Sequence, residues 1–483
     1  KQKLWSTKKI KEGYFQKLGI NAIWFTPVVE QIHGAVDEGT GKTYGYHGYW
    51  AKDWTALDPN FGTQQELADM IKAAHQAGIR VVMDVVLNHT GPVTSKDPVF
   101  PNDWVRTSPK CTYTSYETTT ACTLVENLPD ILTESEQDVA LPEQLRIKWE
   151  KEGRLAQEMA ELNQFFATTG YPKSPKYYII KWLTDYIKAY GIDGFRVDTA
   201  KHLEEEVWKE LRKQADIAFA EYQLKQPRVL PDVQPFYMVG EVYNYFVSNG
   251  RVFDFGDKKV DFYNYGFDAL INFDFKSDAN KDYESIFNKY STLLNDPQFA
   301  GKTILNYISS HDDGSPFDAD RKKAIESATK LLLCPGGAQV YYGDEVARPL
   351  KIAGASGDAN LRSFMNWEDV KNNANTQAIL AHWQKLGTFR NQHPAIGAGV
   401  HEMISTTPYL FKRTYNKNNI SDSVIIGLDL PKGSKTIPVT GVFTDGTSVK
   451  DHYSQFTTVV KNGVVVITSD FNIVLLESVI SKG

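Results

Sequence analysis

Cysteine is scarce, with three in 483 residues, and none lies in a Cys-x-x-Cys pair or close to a histidine. A structural zinc site is therefore not expected. No apolar run reaches the length of a membrane-spanning helix. Charge is not one-sided: 53 basic and 59 acidic residues give a net charge of −6, without a long run of either sign. That balance argues against a nucleic-acid groove. There is no Gly-x-Ser-x-Gly elbow, no Gly-rich phosphate loop after a strand and no His-Glu-x-x-His helix, so the chemistries those motifs carry are set aside. No secretory leader pattern is visible, and export has to be judged from other residues.

What is present is an ordinary globular composition, 42% hydrophobic and 23% charged, at a length sufficient for two or three domains. Cys111 and Cys122 bracket a polar loop rich in Thr and Tyr. Two cysteines so placed are expected to close the loop with a disulfide, which implies an oxidising compartment; the alternative is two free thiols. Cys334, which follows three leucines, reads as a small buried hydrophobe. Aromatic residues reach 12% of the chain. Flat rings serve sugar stacking and core packing alike, and composition does not separate the two uses.

Along the chain, helical and strand patterns alternate. Residues 8–18 show a helical pattern, and 21–27 a buried strand. Thr63-Gln64-Gln65-Glu66 is a capping box opening a helix that ends before Gly78, and residues 79–86 form a second strand. The alternation then breaks. Residues 90–140 are rich in Pro, Thr and Asn, and 143–166 are helical, an excursion too long for a plain loop. It resumes with a helix over 176–190, a strand over 192–198, a helix over 203–224 and strands near 236–241, 267–274, 303–308 and 338–342. Short β runs separated by Gly, Asn and Asp turns fill the tail from about residue 395.

This order predicts an α/β fold: a (β/α)8 TIM barrel with a subdomain inserted after the third barrel strand, and a C-terminal antiparallel β-domain. The expected boundaries are 1–88 and 175–393 for the barrel, 89–174 for the insertion and 394–483 for the β-domain. Only seven barrel strands are countable. Residues 1–7 are too few and too polar to supply the eighth, so the first strand is expected to be missing from this sequence, since an open barrel would expose two long edges.

Polar residues gather at the C-terminal ends of four of these strands, the rim on which barrels build their sites. Asp84-Val85-Val86-Leu87-Asn88-His89 closes one. Gly194-Phe195-Arg196-Val197-Asp198-Thr199-Ala200-Lys201-His202 closes another. A third ends in Glu241, and a fourth runs into Ser309-Ser310-His311-Asp312-Asp313. One such end could be a structural ion pair; four on one rim suggest chemistry. Paired carboxylates suit glycoside hydrolysis, one as nucleophile and one as proton donor. Arg196 beside Asp198 favours an ionised carboxylate there, whereas the run Tyr237-Met238-Val239-Gly240 suggests an apolar setting for Glu241.

These segments resemble the four short conserved regions of glycoside hydrolase family 13, the α-amylase family. Leu128-Pro129-Asp130 resembles that family's additional region in the inserted domain, and Thr43-Tyr44-Gly45-Tyr46-His47-Gly48-Tyr49-Trp50 its substrate-stacking loop. The resemblance runs over essentially the whole chain. It implies Asp198 as nucleophile, Glu241 as general acid/base and Asp312, rather than the adjacent Asp313, as the transition-state stabiliser. It also implies that Arg196 orients Asp198, that His47, His89 and His311 bond the sugar at the cleavage point, and that Tyr49 stacks under it. Asp358 and Arg362 would grip the next sugar on the non-reducing side; Lys201 and His202 would line the leaving-group side. A calcium ion is implied between barrel and insertion, held by Asn88, Asp130 and the backbone carbonyl of His202, oxygen donors that suit a hard cation.

The expected activity is retaining endo-hydrolysis of α-1,4-glucosidic bonds in starch, glycogen and maltooligosaccharides. The alternatives are a maltodextrin-specific hydrolase or α-glucanotransferase of the same family, and a catalytically dead glucan-binding barrel. An α-glucan is the expected partner and a monomer the expected form. The cysteine pair and the likeness to periplasmic α-amylases point to a periplasmic or secreted location.

Overall fold

A computed structural model describes residues 5–37, 41–226, 230 and 234–479. The chain divides into two compact units. The first comprises residues 1–13, 21–245 and 249–271; the second comprises 14–20, 246–248 and 272–483.

The first unit is built on parallel strands in the order Ala22–Phe25, Arg80–Val85, Gly194–Val197, Tyr237–Gly240 and Ala269–Asn272, the last residue of which belongs to the second unit. The strands Gly194–Val197 and Ala269–Asn272 are buried at every position, as parallel strands covered on both faces must be. Crossover helices supply the cover. Gln64–Gln76 starts at the capping box read from sequence: Thr63 accepts from the Glu66 amide and Glu66 reaches back to the Thr63 amide. Such a cap is worth about 1 kcal/mol. Pro175–Tyr190 begins with proline in its first turn and ends on Gly191 in the left-handed region, φ 75°.

Two predicted helices are divided. The pattern over 8–18 becomes Trp5–Lys11 and Tyr14–Lys17, interrupted by Gly13 at φ 72°. The pattern over 143–166 becomes Glu143–Lys151 and Leu155–Thr169, broken at Gly153, φ 73°. Periodicity carries across such a break because the apolar face continues while the backbone turns.

The segment 89–174 carries the short antiparallel pair Val105–Arg106 and Asp130–Ile131, a disulfide joining Cys111 to Cys122, and the two helices just named. Asp53, 0% exposed, fastens them. It accepts from Lys148 Nζ at 2.8 Å, Trp149 Nε1 at 3.1 Å and Arg154 Nη2 at 2.7 Å. Burial opposes ionisation of this carboxyl, but Lys148 and Arg154 together hold it below its usual range.

In the second unit, Thr303–Asn306 pairs in parallel with Gly337–Ala338. With the five above, the parallel strands number seven among the described residues. The tail forms a six-stranded antiparallel sheet in the order Val400–Thr406, Tyr409–Lys417, Ile420–Leu428, Val474–Ser478, Ser448–Asp451 and Thr457–Val459. A separate pair joins Gly433–Pro438 to Val464–Ser469. Ile425, Val449, Ile467 and Leu476 are among its core residues. Cys334 is buried, as its sequence setting predicts.

Candidate active site

Register in the first unit decides which side chains meet. Asp84 is paired with Arg196, and Arg196 with Val239, on successive parallel strands. One residue beyond the strand Gly194–Val197 comes Asp198, and one beyond Tyr237–Gly240 comes Glu241. The amide of Asp198 bonds the Val85 carbonyl at 3.0 Å and that of Glu241 bonds the Val197 carbonyl at 2.9 Å, so both acids remain tied to the sheet.

The Arg196 guanidinium is the hub. Nη1 donates to Asp198 Oδ1 at 2.7 Å and to Asp84 Oδ1 at 3.0 Å, while Nη2 lies 3.2 Å from Glu241 Oε2. Its plane lies over the Trp24 ring, 5.0 Å from the centroid. Burial disfavours a charge there, yet Asp84 and Glu241 hold the guanidinium firmly protonated. Asp84 is itself anchored by Tyr49 Oη at 2.7 Å and Trp24 Nε1 at 3.1 Å. Burial pushes its carboxyl upward against the pull of Arg196.

The apolar setting read for Glu241 is corrected. Besides facing Arg196, Glu241 Oε2 accepts from the Thr199 amide at 3.0 Å. Thr199 stands in the left-handed region, φ 49°, which turns its N–H toward the acid. The same cation thus serves Asp198 and Glu241, and the apolar run that precedes Glu241 points into the sheet. Tyr49, expected only to stack, has its hydroxyl committed to Asp84, and its ring stacks on His47 at 5.8 Å. Asp84 is the residue that sequence reasoning left out of the site. Its signal was present: it occupies the same strand face as Arg196, one strand away.

His89 Nε2 lies 3.0 Å from the Tyr49 carbonyl and His202 Nδ1 lies 3.0 Å from the Thr119 carbonyl. Burial lowers His89 to about 4 and, with Lys201 nearby, His202 to about 3, so both rings are neutral at neutral pH. Lys201 Nζ donates to the Tyr243 carbonyl at 3.1 Å and sits among the rings of Tyr113, Tyr243 and Phe253. Tyr113 and Tyr243 are half exposed.

Asn88 and Asp130 are neighbours, because the Ile131 amide donates to the Asn88 carbonyl at 2.8 Å. Both are 1% exposed. Asn88 Oδ1 and Asp130 Oδ2 lack a hydrogen-bond partner; Arg106 Nε lies 2.8 Å from the latter but outside hydrogen-bonding geometry. Burial lifts the Asp130 carboxyl to about 9 even so. Asn88 Oδ1 is therefore a buried oxygen without a partner, Asp130 Oδ2 is met only by the Arg106 ion pair, and oxygens of this kind suit a hard cation. No group of three or more His, Cys, Asp or Glu side chains is arranged for a metal among the described residues, so any ion here would rely on amide and carbonyl oxygens as well.

In the second unit, Asp312 and Asp313 have different surroundings. The Asp313 carboxylate is taken up by Lys276 at 2.6 Å, Tyr307 Oη at 2.9 Å and the Ser315 amide at 2.9 Å. Asp312 keeps a side chain 41% exposed, accepts from Ser310 Oγ at 2.8 Å and lies 3.5 Å from His311 Nε2. Arg362 Nε donates to the His311 carbonyl at 2.9 Å, and Arg362 Nη2 lies 3.5 Å from Asp358 Oδ2. The second unit therefore gathers His311, Asp312, Asp358 and Arg362, while the first gathers His47, Tyr49, His89, Arg196, Asp198, Lys201, His202 and Glu241.

Parallel α/β architecture with carboxylates at strand ends defines the class of barrel proteins that carry acid-lined sites on one rim. Within it, the chain belongs to the α-amylase family, glycoside hydrolase family 13: the pattern described as "Alpha amylase, catalytic domain" matches residues 7–384. It is 34% identical to the periplasmic α-amylase of Escherichia coli (strain K12), over 86% of this chain and 65% of that protein. It is 25% identical to the cyclomaltodextrin glucanotransferase of Geobacillus stearothermophilus, over 90% of this chain and 55% of that one. The chain thus spans less than two thirds of the length of these curated relatives. The crystal structure of an Anoxybacillus α-amylase superimposes with a TM-score of 0.66 at 21% identity, covering 97% of this chain and 89% of that one, and shows the shared fold.

Proposed function

We propose that this chain hydrolyses α-1,4-glucosidic bonds in starch, glycogen and maltooligosaccharides, with retention of configuration. The observation that carries the reading is the single buried guanidinium of Arg196 bound by both Asp198 and Glu241. Two acids tied to one cation on adjacent strands stand near each other, as direct attack on an anomeric carbon requires.

In this reading Glu241, which has to enter the step protonated against the pull of Arg196, gives its proton to the glycosidic oxygen as Asp198 attacks the anomeric carbon. The C–O bond to the leaving sugar breaks and a β-glycosyl ester forms on Asp198. Glu241, now a carboxylate, takes a proton from water, which displaces Asp198 and releases the sugar with its α configuration. Arg196 orients Asp198 through the hydrogen bond from Nη1. Asp312 stabilises the oxocarbenium-like transition state through sugar hydroxyls, and neutral His89 offers a hydrogen bond without adding charge. The family resemblance gives His47 and His311 each a hydrogen-bonding role toward the sugar at the cleavage point, and Asp358 and Arg362 a role toward the next sugar. Asn88, Asp130 and the His202 carbonyl would hold a calcium ion, whose contribution would be to neutralise Asp130 and fix residues 88 and 130 together.

A second reading, glucan transfer, draws on Lys201 and the half-exposed rings of Tyr113 and Tyr243 around it. Those groups offer a seat to a sugar acceptor that would compete with water. The disulfide and the likeness to a periplasmic relative support a periplasmic or secreted location.

Incubation with soluble starch and with maltoheptaose tests the proposal. Loss of iodine staining, a rise in reducing ends and short products from both substrates are expected. Products longer than maltoheptaose would favour transfer. Both substrates unchanged would overturn the enzymatic reading.

A further inference from the structure

We propose that Arg348, a residue outside every motif so far described, is a positioning residue that fixes Arg362 and, through it, the backbone of His311 next to Asp312. This rests on the assignment of Arg362 and Asp312 made above.

Arg348 is 0% exposed, and its guanidinium is spent on the backbone and side chain that flank Arg362. Nη2 donates to the Leu361 carbonyl at 3.0 Å and Nη1 to Ser363 Oγ at 2.6 Å. Nε donates to the Tyr342 carbonyl at 3.0 Å. Two tyrosines reinforce the same two residues: Tyr341 Oη donates to the Leu361 carbonyl at 2.9 Å and Tyr342 Oη to the Ser363 carbonyl at 2.7 Å. The guanidinium lies over the Tyr342 ring, 4.0 Å from its centroid. The residues on each side of Arg362 are therefore bound, while Arg362 itself reaches the His311 carbonyl at 2.9 Å.

A buried cation with only neutral acceptors among these partners is an expensive way to stabilise a loop. Its shape explains the choice. Three N–H groups in one rigid plane can reach residues 342, 361 and 363 together, which one ammonium cannot do. The backbone makes room for it: at Gly343, φ 92°, a Cβ would stand 2.5 Å from Arg348 Cβ and Nε. A loop pinned on both sides of one side chain sets the direction of that side chain, and small displacements of such groups cost rate steeply.

The test uses Arg348→Lys, Ser363→Ala and Arg362→Ala, assayed on maltoheptaose well below each variant's melting temperature. Arg348→Lys is expected to lower kcat/KM by about ten- to a hundredfold. Ser363→Ala, which removes one acceptor from an otherwise intact clamp, is expected to lower it by about threefold. Amide hydrogen exchange should quicken over 358–364 in both variants. In the Arg362→Ala background, Arg348→Lys should add little, since the two act on one path. Arg362→Ala impaired with Arg348→Lys and Ser363→Ala at wild-type rates would overturn the proposal alone. Arg362→Ala at wild-type rates would overturn the assignment beneath it. A lower melting temperature with unchanged kinetics would reduce Arg348 to a structural role. If Arg348→Lys fails to fold, Ser363→Ala and its exchange pattern decide the matter.

Discussion

Asp84 and Arg196 face each other in register across two parallel strands, with Arg196 Nη1 3.0 Å from one carboxylate oxygen of Asp84 and 3.1 Å from the other. The pair aims Arg196 at the strand ends, where Nη1 also serves Asp198 and Nη2 faces Glu241. The proposed catalytic acids are thus oriented from beneath by an ion pair that need never touch substrate.

Arg196→Lys should be severe for that reason. One ammonium cannot serve Asp84, Asp198 and Glu241 together, and a buried carboxylate left unpaired costs about 3–5 kcal/mol. Turnover on maltoheptaose is expected to fall by about a hundredfold or more, together with a drop in melting temperature. Wild-type turnover in a folded Arg196→Lys protein would contradict the central place given to this guanidinium.

Chelation separates a cation at Asn88 and Asp130 from a metal-free turn. Ion at a hundred times its dissociation constant would stabilise the fold by about 2.7 kcal/mol. EGTA should lower the melting temperature, added calcium should restore it, and Asn88→Ala should abolish both responses. A melting temperature indifferent to EGTA in the wild-type chain would remove calcium from the account.

Acid–base linkage in the second unit gives a prediction with a definite sign. His393 lies 2.9 Å from both Asp422 Oδ1 and Glu477 Oε2. Burial opposes its protonation, but these carboxylates raise it to about 9, from 6.5. That stabilisation is fully present below pH 6.5 and is lost as pH rises through 9. Glu477 is also buried in part, yet His393 and His452 lower it to about 2, from 4.5. Its contribution is present above pH 4.5 and fades as pH falls toward 2. Both contributions are full between about pH 4.5 and 6.5. His393→Gln should cost on the order of 2 kcal/mol inside that window after solvent screening, and progressively less as pH rises toward 9. Melting curves recorded from pH 5 to 9.5 check it. A difference between wild type and variant that does not shrink with rising pH would refute the linkage.

Much of this was legible in the residues. Strand runs such as 79–86 and 236–241 stand out because parallel strands are buried on both faces and read as continuous apolar segments. Thr63 and Glu66 announced a helix start that the structure reproduces bond for bond. What escaped was non-local. Tyr409–Lys417 mixes Thr, Lys and Tyr, and becomes a strand because Ile420–Leu428 pairs with it on one side and Val400–Thr406 on the other. Asp84 lay inside a quoted motif, yet its role follows only from register with Arg196. The apolar run before Glu241 misled because neighbours in sequence alternate across a strand, and the environment of an acid at its end is set by the next strand.

The covalent intermediate tests the central claim most directly. Glu241→Gln, incubated with an α-maltosyl fluoride whose leaving group needs no proton, should accumulate a glycosyl-enzyme detectable by intact mass. Peptide mapping should place the added maltosyl group on Asp198. A fluoride consumed without any adduct, or an adduct on another carboxylate, would contradict the assignment of Asp198 as nucleophile and Glu241 as its acid/base partner.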